Sequence, residues 1–379
     1  MKLGVIGYGT RAGRLMEAFA RQNMGVVLAA VADPESERVR QRVEDAGFPA
    51  DTVHFYTEAQ EMLDQERLDG VIVSTRCSLH AALAVEVMKR GVPLFLEKPV
   101  AVCDGDVALL EDARRRYDSP VLVSFPLRMT PLANLVREII DSGRIGTVEQ
   151  VQAVNNVPYG GVYYHNWYRD TRETGGLFLQ KTTHDFDYIN SILRQTPVEV
   201  CAVSARRVFR GDRPAGQRCP DCPEYETCLE SPFVMKHCTG EEIQGDFCCY
   251  AEDVRDQDCG SAIVRYDSGV HVCYSQNFFA RNGAARRGAR FLGYEGTLEF
   301  DWYTDEIKVF RHHQDVAETY KMNTVSMMHG GGDNALAWNF IQMMRGRDIS
   351  HAPLSAGILS AKMCLAARAS AQSGTFRRI

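Results

Sequence analysis

The sequence predicts an α/β protein of two domains, in which a doubly wound parallel sheet is followed by an α+β domain with an open, mainly antiparallel sheet. Strands alternate with helices over the first third of the chain, which is typical of a parallel sheet covered on both faces. Later segments alternate apolar with polar residues, which is typical of a sheet with one free face. The length of 379 residues suits two domains, and we place them at residues 1–123 and 124–379.

A glycine-rich turn follows the first predicted strand. The apolar run at residues 3–6 leads to Gly7 and Gly9, and helix-forming residues come next. In a G-x-G-x-x-A pattern the first glycine permits the turn, and the second lets the backbone approach a pyrophosphate at the helix N-terminus. Either Ala12 or Gly13 can be the third small residue, and we favour Ala12. The pattern predicts a Rossmann-type dinucleotide site.

The second predicted strand ends in an acidic residue. Asp33 stands about 20 residues past the glycines, where a carboxylate binds the ribose hydroxyls and repels a 2′-phosphate. We therefore expect NAD rather than NADP, with Arg38 and Arg40 nearby weakening the preference. The remaining strands of this domain are predicted at residues 70–74, 93–96 and 121–125, with helices between them.

The second domain starts with an amphipathic helix predicted at residues 131–141, which Gly143 ends. Two further helices, at 333–345 and 355–371, close the chain. The predicted antiparallel strands lie at 148–155, 198–205, 261–266, 270–278, 289–293, 297–301 and 307–310. One face of such a sheet needs a cover, so we expect a homo-oligomer, a dimer or tetramer.

Charge and hydropathy exclude several classes of protein. The net charge of −6 argues against nucleic-acid binding, which usually requires a basic excess. No apolar run reaches the roughly 20 residues that span a bilayer. Met1 and Lys2 lead directly into the first strand, with no signal peptide before it. We therefore expect a cytoplasmic protein whose partner is a small molecule.

A cysteine-rich insert is predicted at about residues 210–260, a segment with few helix or strand signals. A C-x2-C pair supplies two thiolates from one turn, and a metal can replace the core that such a loop lacks. We expect zinc, although an iron–sulfur cluster or free thiols would also fit this pattern. The predicted ligands are Cys219, Cys222, Cys228 and Cys248, with Cys249, Cys238 and His237 as alternatives for the fourth.

Several motifs follow one another in a specific order. They are E-K-P at residues 97–99, R-x-x-P from Arg128 to Pro131, S-G-x-I-G at 142–146, and G-G at 175–176 followed by H-x-x-D from His184 to Asp187. In this order they resemble the Gfo/Idh/MocA (glucose–fructose oxidoreductase, inositol dehydrogenase, MocA) oxidoreductase family over nearly the whole chain. The resemblance implies a Rossmann domain, an open antiparallel sheet, NAD or NADP, and oxidation of a sugar or cyclitol hydroxyl to a ketone.

The resemblance implies roles for particular side chains. Lys98 would offset charge on the reacting oxygen, and His184 would be the acid–base group; a solvated lysine and a core histidine are the alternatives. The family often has aspartate four residues before this histidine, where this chain has Gln180; Lys181 could compensate for that loss. The expected cofactor contacts are Gly7, Tyr8, Gly9, Thr10, Arg11, Ala12, Asp33, Ser74, Thr75, His80, Glu97 and Lys98.

An aromatic and polar stretch at residues 163–169 is typical either of a sugar-binding surface or of a loop whose aromatic side chains belong to the core. A second polar pair, His329 with Asp333, surrounds a glycine turn, and we expect Asp333 to cap the helix that follows. The expected substrate contacts are Arg128, Tyr164, His165, Trp167, Arg169, Gln180 and His329.

We interpret the sequence as that of an NAD-dependent dehydrogenase that oxidises a hydroxyl of a sugar, glycoside or cyclitol. One alternative is a glycoside-cleaving enzyme with tightly bound NAD, which oxidises its substrate, eliminates the aglycone and returns the hydride. Another alternative is a nucleotide-binding subunit without catalysis. Net turnover of the cofactor separates the first two interpretations, and Lys98 and His184 argue against the third.

Overall fold

The structure is a computed structural model that describes residues 1–239, 243–324 and 328–379. The chain divides into two units. Unit 1 comprises Met1–Arg137, Phe186–Ile192 and Met322–Lys362, and unit 2 comprises Glu138–Asp185, Leu193–Lys321 and Met363–Ile379. Unit 1 thus extends past the predicted boundary at residue 123 and takes in two later segments. The second of these packs by its aromatic side chains, since the Phe340 ring lies 6.1 Å from that of Phe19 and 5.6 Å from that of Phe95.

The helices span α1 (Thr10–Arg21), α2 (Ser36–Asp45), α3 (Ala59–Gln65), α4 (His80–Met88), α5 (Asp104–Arg116), α6 (Pro131–Asp141), α7 (Val162–His165), α8 (Thr171–Thr174), α9 (Leu177–Leu193), α10 (Pro232–Thr239), α11 (Gly332–Met344) and α12 (Leu354–Ser373). The helix predicted at 131–141 is confirmed as α6, and the two predicted near the end of the chain are α11 and α12. The sequence did not reveal α9, whose polar residues hide its period.

Unit 1 contains a parallel sheet of β1 (Lys2–Ile6), β2 (Val27–Ala32), β3 (His54–Tyr56), β4 (Gly70–Val73), β5 (Leu94–Leu96) and β6 (Val121–Val123). Their spatial order is β3-β2-β1-β4-β5-β6. The chain direction across the sheet reverses between β1 and β4, and ligands of doubly wound sheets bind at that switch point, beyond the carboxyl ends of the strands. The predicted Rossmann-type sheet is confirmed.

Unit 2 contains a sheet of β7 (Val148–Asn156), β8 (Pro197–Ala205), β9 (Cys259–Tyr266), β10 (His271–Asn277), β11 (Arg286–Gly293), β12 (Gly296–Asp301), β13 (Glu306–Arg311), β14 (Val316–Lys321) and β15 (Arg377–Arg378). The order is β14-β13-β12-β11-β7-β10-β9-β8-β15, and only β7 and β10 pair in parallel among these described strands. The predicted mainly antiparallel sheet is confirmed. Val203 and Ile263 on it are 68% and 46% exposed, and pairing of copies through this face stays a prediction.

Among the described residues, no helix combines the length and apolar character that crossing a bilayer requires.

One arginine connects four segments of unit 1. Arg11, in the first turn of α1, donates from Nε to Glu97 Oε1 at 2.8 Å, and from Nη2 to Asp333 Oδ1 at 2.7 Å and Ser124 Oγ at 3.0 Å. The other oxygen of Asp333 lies 2.7 Å from His329 Nδ1. These contacts correct one expectation, because Asp333 binds Arg11 instead of capping α11. The contact of Arg11 with a cofactor stays a prediction.

The Arg11–Asp333 pair predicts a dependence of stability on pH. Burial raises the pKa of Asp333, but the Arg11 charge and the His329 hydrogen bond outweigh burial and hold the pKa well below its ordinary value. A carboxyl with a depressed pKa stabilises the fold above its unfolded pKa, and this contribution is lost as the pH falls. We expect Asp333→Asn to lower the free energy of unfolding by about 2–4 kcal/mol at pH 7, because it leaves a largely buried guanidinium without one of its carboxylates.

Urea unfolding of both proteins between pH 7 and about pH 3.5 measures this effect. The difference between them should shrink below about pH 5, where the wild-type carboxylate begins to lose its advantage over the unfolded state. Asp315→Asn, at an exposed aspartate, is the control and should change stability by less than about 0.5 kcal/mol. An Asp333→Asn protein as stable as wild type at pH 7 would contradict the assignment.

Candidate active site

The turn between β1 and α1 is shaped for close approach. Gly7 has φ +81°, and a Cβ at this position would lie 2.7 Å from Thr75 Cγ2, so no other residue fits without displacement. Gly9 forms the N-cap of α1 with no side-chain hydrogen bond, and a Cβ here would meet no atom within 4 Å. The space beside Gly9 at the N-terminus of the helix is therefore open, which fits a pyrophosphate.

The remaining residues of the predicted cofactor set surround this turn. Ala12 is fully buried, whereas a Cβ at Gly13 would meet open space, so Ala12 is the small residue that packing requires. The Tyr8 side chain is buried as well, which leaves its backbone as the group that can approach a ligand. Ser74 and Thr75 follow β4 and are half-buried. Thr10 is the first residue of α1.

Asp33 lies directly after β2 and beside the same turn. Its Oδ2 accepts a hydrogen bond from the Tyr8 backbone N–H at 2.9 Å, and its Oδ1 accepts one from the Glu35 N–H at 2.9 Å. These bonds hold the carboxylate in place while its other lone pairs stay available. Arg38 pairs with Glu35 at 3.2 Å, so this arginine has an acidic partner of its own.

Lys98 follows β5 and is half-buried in a segment held from two sides. Glu97 is buried and accepts the hydrogen bond from Arg11. His80 Nδ1 lies 2.8 Å from the Pro99 carbonyl oxygen, and His80 Nε2 lies 3.2 Å from that of Thr75. Burial lowers the pKa of His80, so the neutral ring donates one hydrogen bond and braces this segment. Glu97 and His80 thus position Lys98.

Helix α9 arranges the predicted catalytic residues of unit 2. It begins after Gly175 and Gly176, both with positive φ, and places Gln180 and His184 one turn apart on one side. Lys181 and Asp185 form a second pair with the same spacing. All four side chains are buried. The sequence predicted these residues but not the helix that separates them onto two adjoining faces.

Asp185 anchors α9 to the sheet of unit 2. Its carboxylate accepts hydrogen bonds from Asn155 Nδ2, Tyr274 OH and Arg287 Nε, each at 2.8 Å. These donors belong to β7, β10 and β11, so one carboxylate fixes the helix on three strands. Arg287 belongs to an arginine-rich stretch at residues 281–290, yet it is only 7% exposed.

Lys181 contacts Tyr159, a residue that sequence reasoning missed. Its Nζ donates a hydrogen bond to Tyr159 OH at 2.8 Å and lies 4.6 Å and 5.0 Å from the ring centroids of Tyr159 and Tyr163. The signal in the sequence was an aromatic cluster that begins at Tyr159, four residues earlier than the stretch singled out above.

Two predicted substrate contacts belong to the interior. Tyr164 is fully buried, donates to the Gln257 carbonyl oxygen at 2.9 Å, and packs with Phe209. His165 is also fully buried, with Nδ1 2.7 Å from the Phe247 carbonyl oxygen. The prediction that these side chains contact a substrate is wrong, because protein atoms enclose both of them completely.

Two predicted arginine contacts are occupied by protein groups. Arg128 forms a bidentate pair with Asp187, at 2.8 Å from Nε and 2.7 Å from Nη2. Arg169 donates to the Cys248 carbonyl oxygen at 3.2 Å and to Asp253 at 2.5 Å. Both arginines serve the fold, which corrects their predicted role. Trp167 is half-buried and stacks on Tyr168; its role, like those of Gln180 and His329, stays a prediction.

The predicted ligands in the described part of the cysteine-rich insert are not arranged as a metal site. Within residues 1–239, 243–324 and 328–379, no group of three or more His, Cys, Asp or Glu side chains is arranged to hold a metal ion. Cys219 and Cys248 pack against Ala251, and the Cys219 thiol lies 3.6 Å from the Phe247 carbonyl oxygen. The neighbouring Cys219 thiol lowers the pKa of the Cys248 thiol to about 6. Cys222 and Cys228 are half-buried and without a disulfide, so spacing alone misled the prediction.

Comparison with known proteins places the chain among oxidoreductases. Residues 1–123 match the model of an oxidoreductase family with an NAD-binding Rossmann fold, and residues 134–299 match that of the GFO/IDH/MocA C-terminal domain. YteT of Bacillus subtilis is 26% identical over 314 residues, covering 73% of this chain and 72% of the relative.

A second relative and a solved structure agree with this placement. Myo-inositol 2-dehydrogenase of Thermotoga maritima is 25% identical over 202 residues, which is 53% of this chain and 58% of that protein, so the match covers less than two thirds of the relative. Levoglucosan dehydrogenase in complex with NADH and levoglucosan superposes with a TM-score of 0.80 at 16% identity, covering 100% of this chain and 99% of that chain, and shows the fold alone. The chain belongs to the Gfo/Idh/MocA family of oxidoreductases with an NAD-binding Rossmann fold.

Proposed function

We propose that this protein is an NAD-dependent dehydrogenase that oxidises a hydroxyl of a sugar, glycoside or cyclitol to a ketone. The observation that carries the proposal is the open N-terminus of α1 beside the fixed carboxylate of Asp33, on the same sheet that presents Lys98 after β5. The inositol and levoglucosan dehydrogenases among the similar proteins support the substrate class. NAD, when bound, accepts a hydride from the substrate carbon.

The chain's own residues supply the rest of the chemistry. The Lys98 ammonium offsets the negative charge that develops on the substrate oxygen, which favours loss of the hydroxyl proton. His184 hydrogen bonds to the same oxygen and orients the hydroxyl. Gln180, one helical turn before His184, can orient this histidine but cannot neutralise a positive imidazolium as a carboxylate would.

We expect Lys98→Ala and His184→Ala each to lower kcat by at least about 100-fold, because the first removes the charge that stabilises the reacting oxygen and the second removes the group that orients the hydroxyl. Affinity for NAD should stay nearly unchanged, because the α1 turn and Asp33 bind it. Lys89→Ala and His313→Ala, at exposed positions, are matched controls and should retain wild-type kcat. The measurement is NADH formation with a panel of inositols, aldoses, anhydrosugars and nitrophenyl glycosides.

The same panel separates net oxidation from glycoside cleavage. Stoichiometric NADH formation supports the proposed dehydrogenase, whereas nitrophenol release without accumulation of NADH would identify the redox-assisted cleavage reaction instead. A wild-type protein that does neither with any panel member would contradict the proposal. If Lys98→Ala retains near-normal kcat on a confirmed substrate, the role of Lys98 is wrong.

We expect Asp33 to set the choice between NAD and NADP. Asp33→Ser removes the charge that repels a 2′-phosphate, so affinity for NADPH should rise while affinity for NADH falls by about tenfold through the lost ribose hydrogen bonds. Titration of protein fluorescence with each nucleotide measures both affinities. Asp51→Ser, at an exposed aspartate of unit 1, is the control. Tighter binding of NADPH than NADH by the wild type would refute the proposed preference.

A further inference from the structure

Tyr159 and Lys181 form a pair of unequal accessibility in unit 2. Tyr159 follows β7 and keeps 36% of its surface exposed, whereas Lys181, in the second turn of α9, keeps only 6%. The hydrogen bond of 2.8 Å from Lys181 Nζ reaches the Tyr159 hydroxyl. The buried ammonium therefore binds a tyrosine that is itself partly exposed.

The two positive charges near Tyr159, those of Lys181 and Arg287, differ in their partners. Arg287 on β11 has Asp185 as its own partner, at 2.8 Å. In the part of the chain that the structure describes, no carboxylate lies within ion-pair distance of Lys181 Nζ, so a phenolate at Tyr159 would be the nearest anion. Two further phenols face the pair, Tyr163 from α7 and Tyr303 from the turn after β12.

The three phenols differ in acidity. Burial raises the pKa of Tyr159, but the charges of Lys181 and Arg287 and the Lys181 hydrogen bond outweigh it, so the pKa lies below its ordinary value. Burial dominates at the other two and raises the pKa of Tyr163 and Tyr303. Burial also lowers the pKa of the Lys181 ammonium. The pair gives up a proton more readily than an ordinary tyrosine and lysine would.

We propose that Tyr159, held by Lys181, is the group that takes the proton of the substrate hydroxyl during oxidation. The inference rests on the proposed dehydrogenase function. The O–H bond breaks as the phenolate oxygen of Tyr159 accepts the proton, the C=O bond forms, and the hydride leaves the same carbon for NAD. In the reverse direction the phenol returns its proton to the ketone oxygen. Lys181 keeps its proton throughout and is a positioning residue.

This assignment explains why the chain tolerates Gln180. An imidazolium at His184 would have an amide, not a carboxylate, one helical turn away, whereas the anionic form of Tyr159 has an ammonium at hydrogen-bond distance. The proton acceptor and its counter-charge therefore form one hydrogen-bonded pair. The role of His184 is then the hydrogen bond to the reacting oxygen. A base works best when its pKa is close to the operating pH, and Lys181 lowers the pKa of Tyr159 from its ordinary value.

The pH profile of kcat/KM tests the assignment on a substrate that the wild type oxidises. The wild type should lose activity on the acid side as Tyr159 becomes protonated. Tyr159→Phe should lower kcat by at least about 100-fold and abolish that limb. Lys181→Met should shift the limb to higher pH, Lys181→Arg should restore it, and His184→Gln should slow the reaction but keep the limb. Tyr294→Phe, at an exposed tyrosine, is the matched control and should behave as wild type.

A second readout needs no substrate. The ultraviolet absorption of tyrosinate, taken as the difference between wild type and Tyr159→Phe during an alkaline titration, should show one phenol that ionises below the ordinary pKa of about 10. The same difference in the Lys181→Met background should move to higher pH. Circular dichroism of each variant confirms that it is folded.

The outcomes are distinguishable. An active wild type whose Tyr159→Phe variant retains its rate and its acid limb overturns the role of Tyr159 and leaves the dehydrogenase intact. A limb that disappears in His184→Gln but persists in Tyr159→Phe assigns the proton to His184 and likewise overturns the inference. A wild type that oxidises no member of the panel contradicts the dehydrogenase function itself, and the role of Tyr159 falls with it.

Discussion

The contact of Arg11 with two carboxylates is the interaction on which unit 1 depends. Its guanidinium binds Glu97 and Asp333, so the start of α1, the end of β5 and the start of α11 are fixed to one group. Removing one partner of a buried pair leaves an uncompensated charge. The loss of one partner is therefore strongly destabilising, even when the net stabilisation by the intact pair is small. Because Glu97 precedes Lys98, the anion-binding turn and the lysine share this anchor.

Unit 2 has a similar contact, in which the central ion is a carboxylate rather than a guanidinium. The carboxylate of Asp185 accepts three hydrogen bonds from three strands and holds α9. Fixing the helix also fixes the two candidate catalytic residues on it. Lys181 lies one helical turn before Asp185, and His184 directly precedes Asp185. In both units a single ion with several partners sets the geometry. The candidate catalytic residues lie next to members of these contacts in the sequence, Lys98 beside Glu97 and His184 beside Asp185.

Local patterns in the sequence predicted the fold well, because a strand, a glycine turn and the start of a helix are features of adjacent residues. Contacts between distant residues were beyond reach: Arg11 and Asp333 are 322 positions apart, and no pattern in one sequence links them. The composition of a segment also does not show which of its side chains point into the interior. Tyr164 and Tyr159 belong to the same aromatic stretch, yet one is fully buried and the other is 36% exposed. In the same way, the spacing of the cysteines does not determine where their thiols point.

The central claim is that the open N-terminus of α1 binds the pyrophosphate of NAD, and a matched pair of glycine substitutions tests it most directly. Gly9 has an extended backbone that any residue adopts, and a Cβ at Gly9 or at Gly13 would meet no protein atom within 4 Å. Both Gly9→Val and Gly13→Val should therefore fold. Calorimetric titration with NADH should show affinity reduced by at least about 30-fold, roughly 2 kcal/mol, for Gly9→Val, because its side chain occupies the pyrophosphate position, and near wild-type affinity for Gly13→Val. Wild-type affinity of a folded Gly9→Val protein would contradict the account.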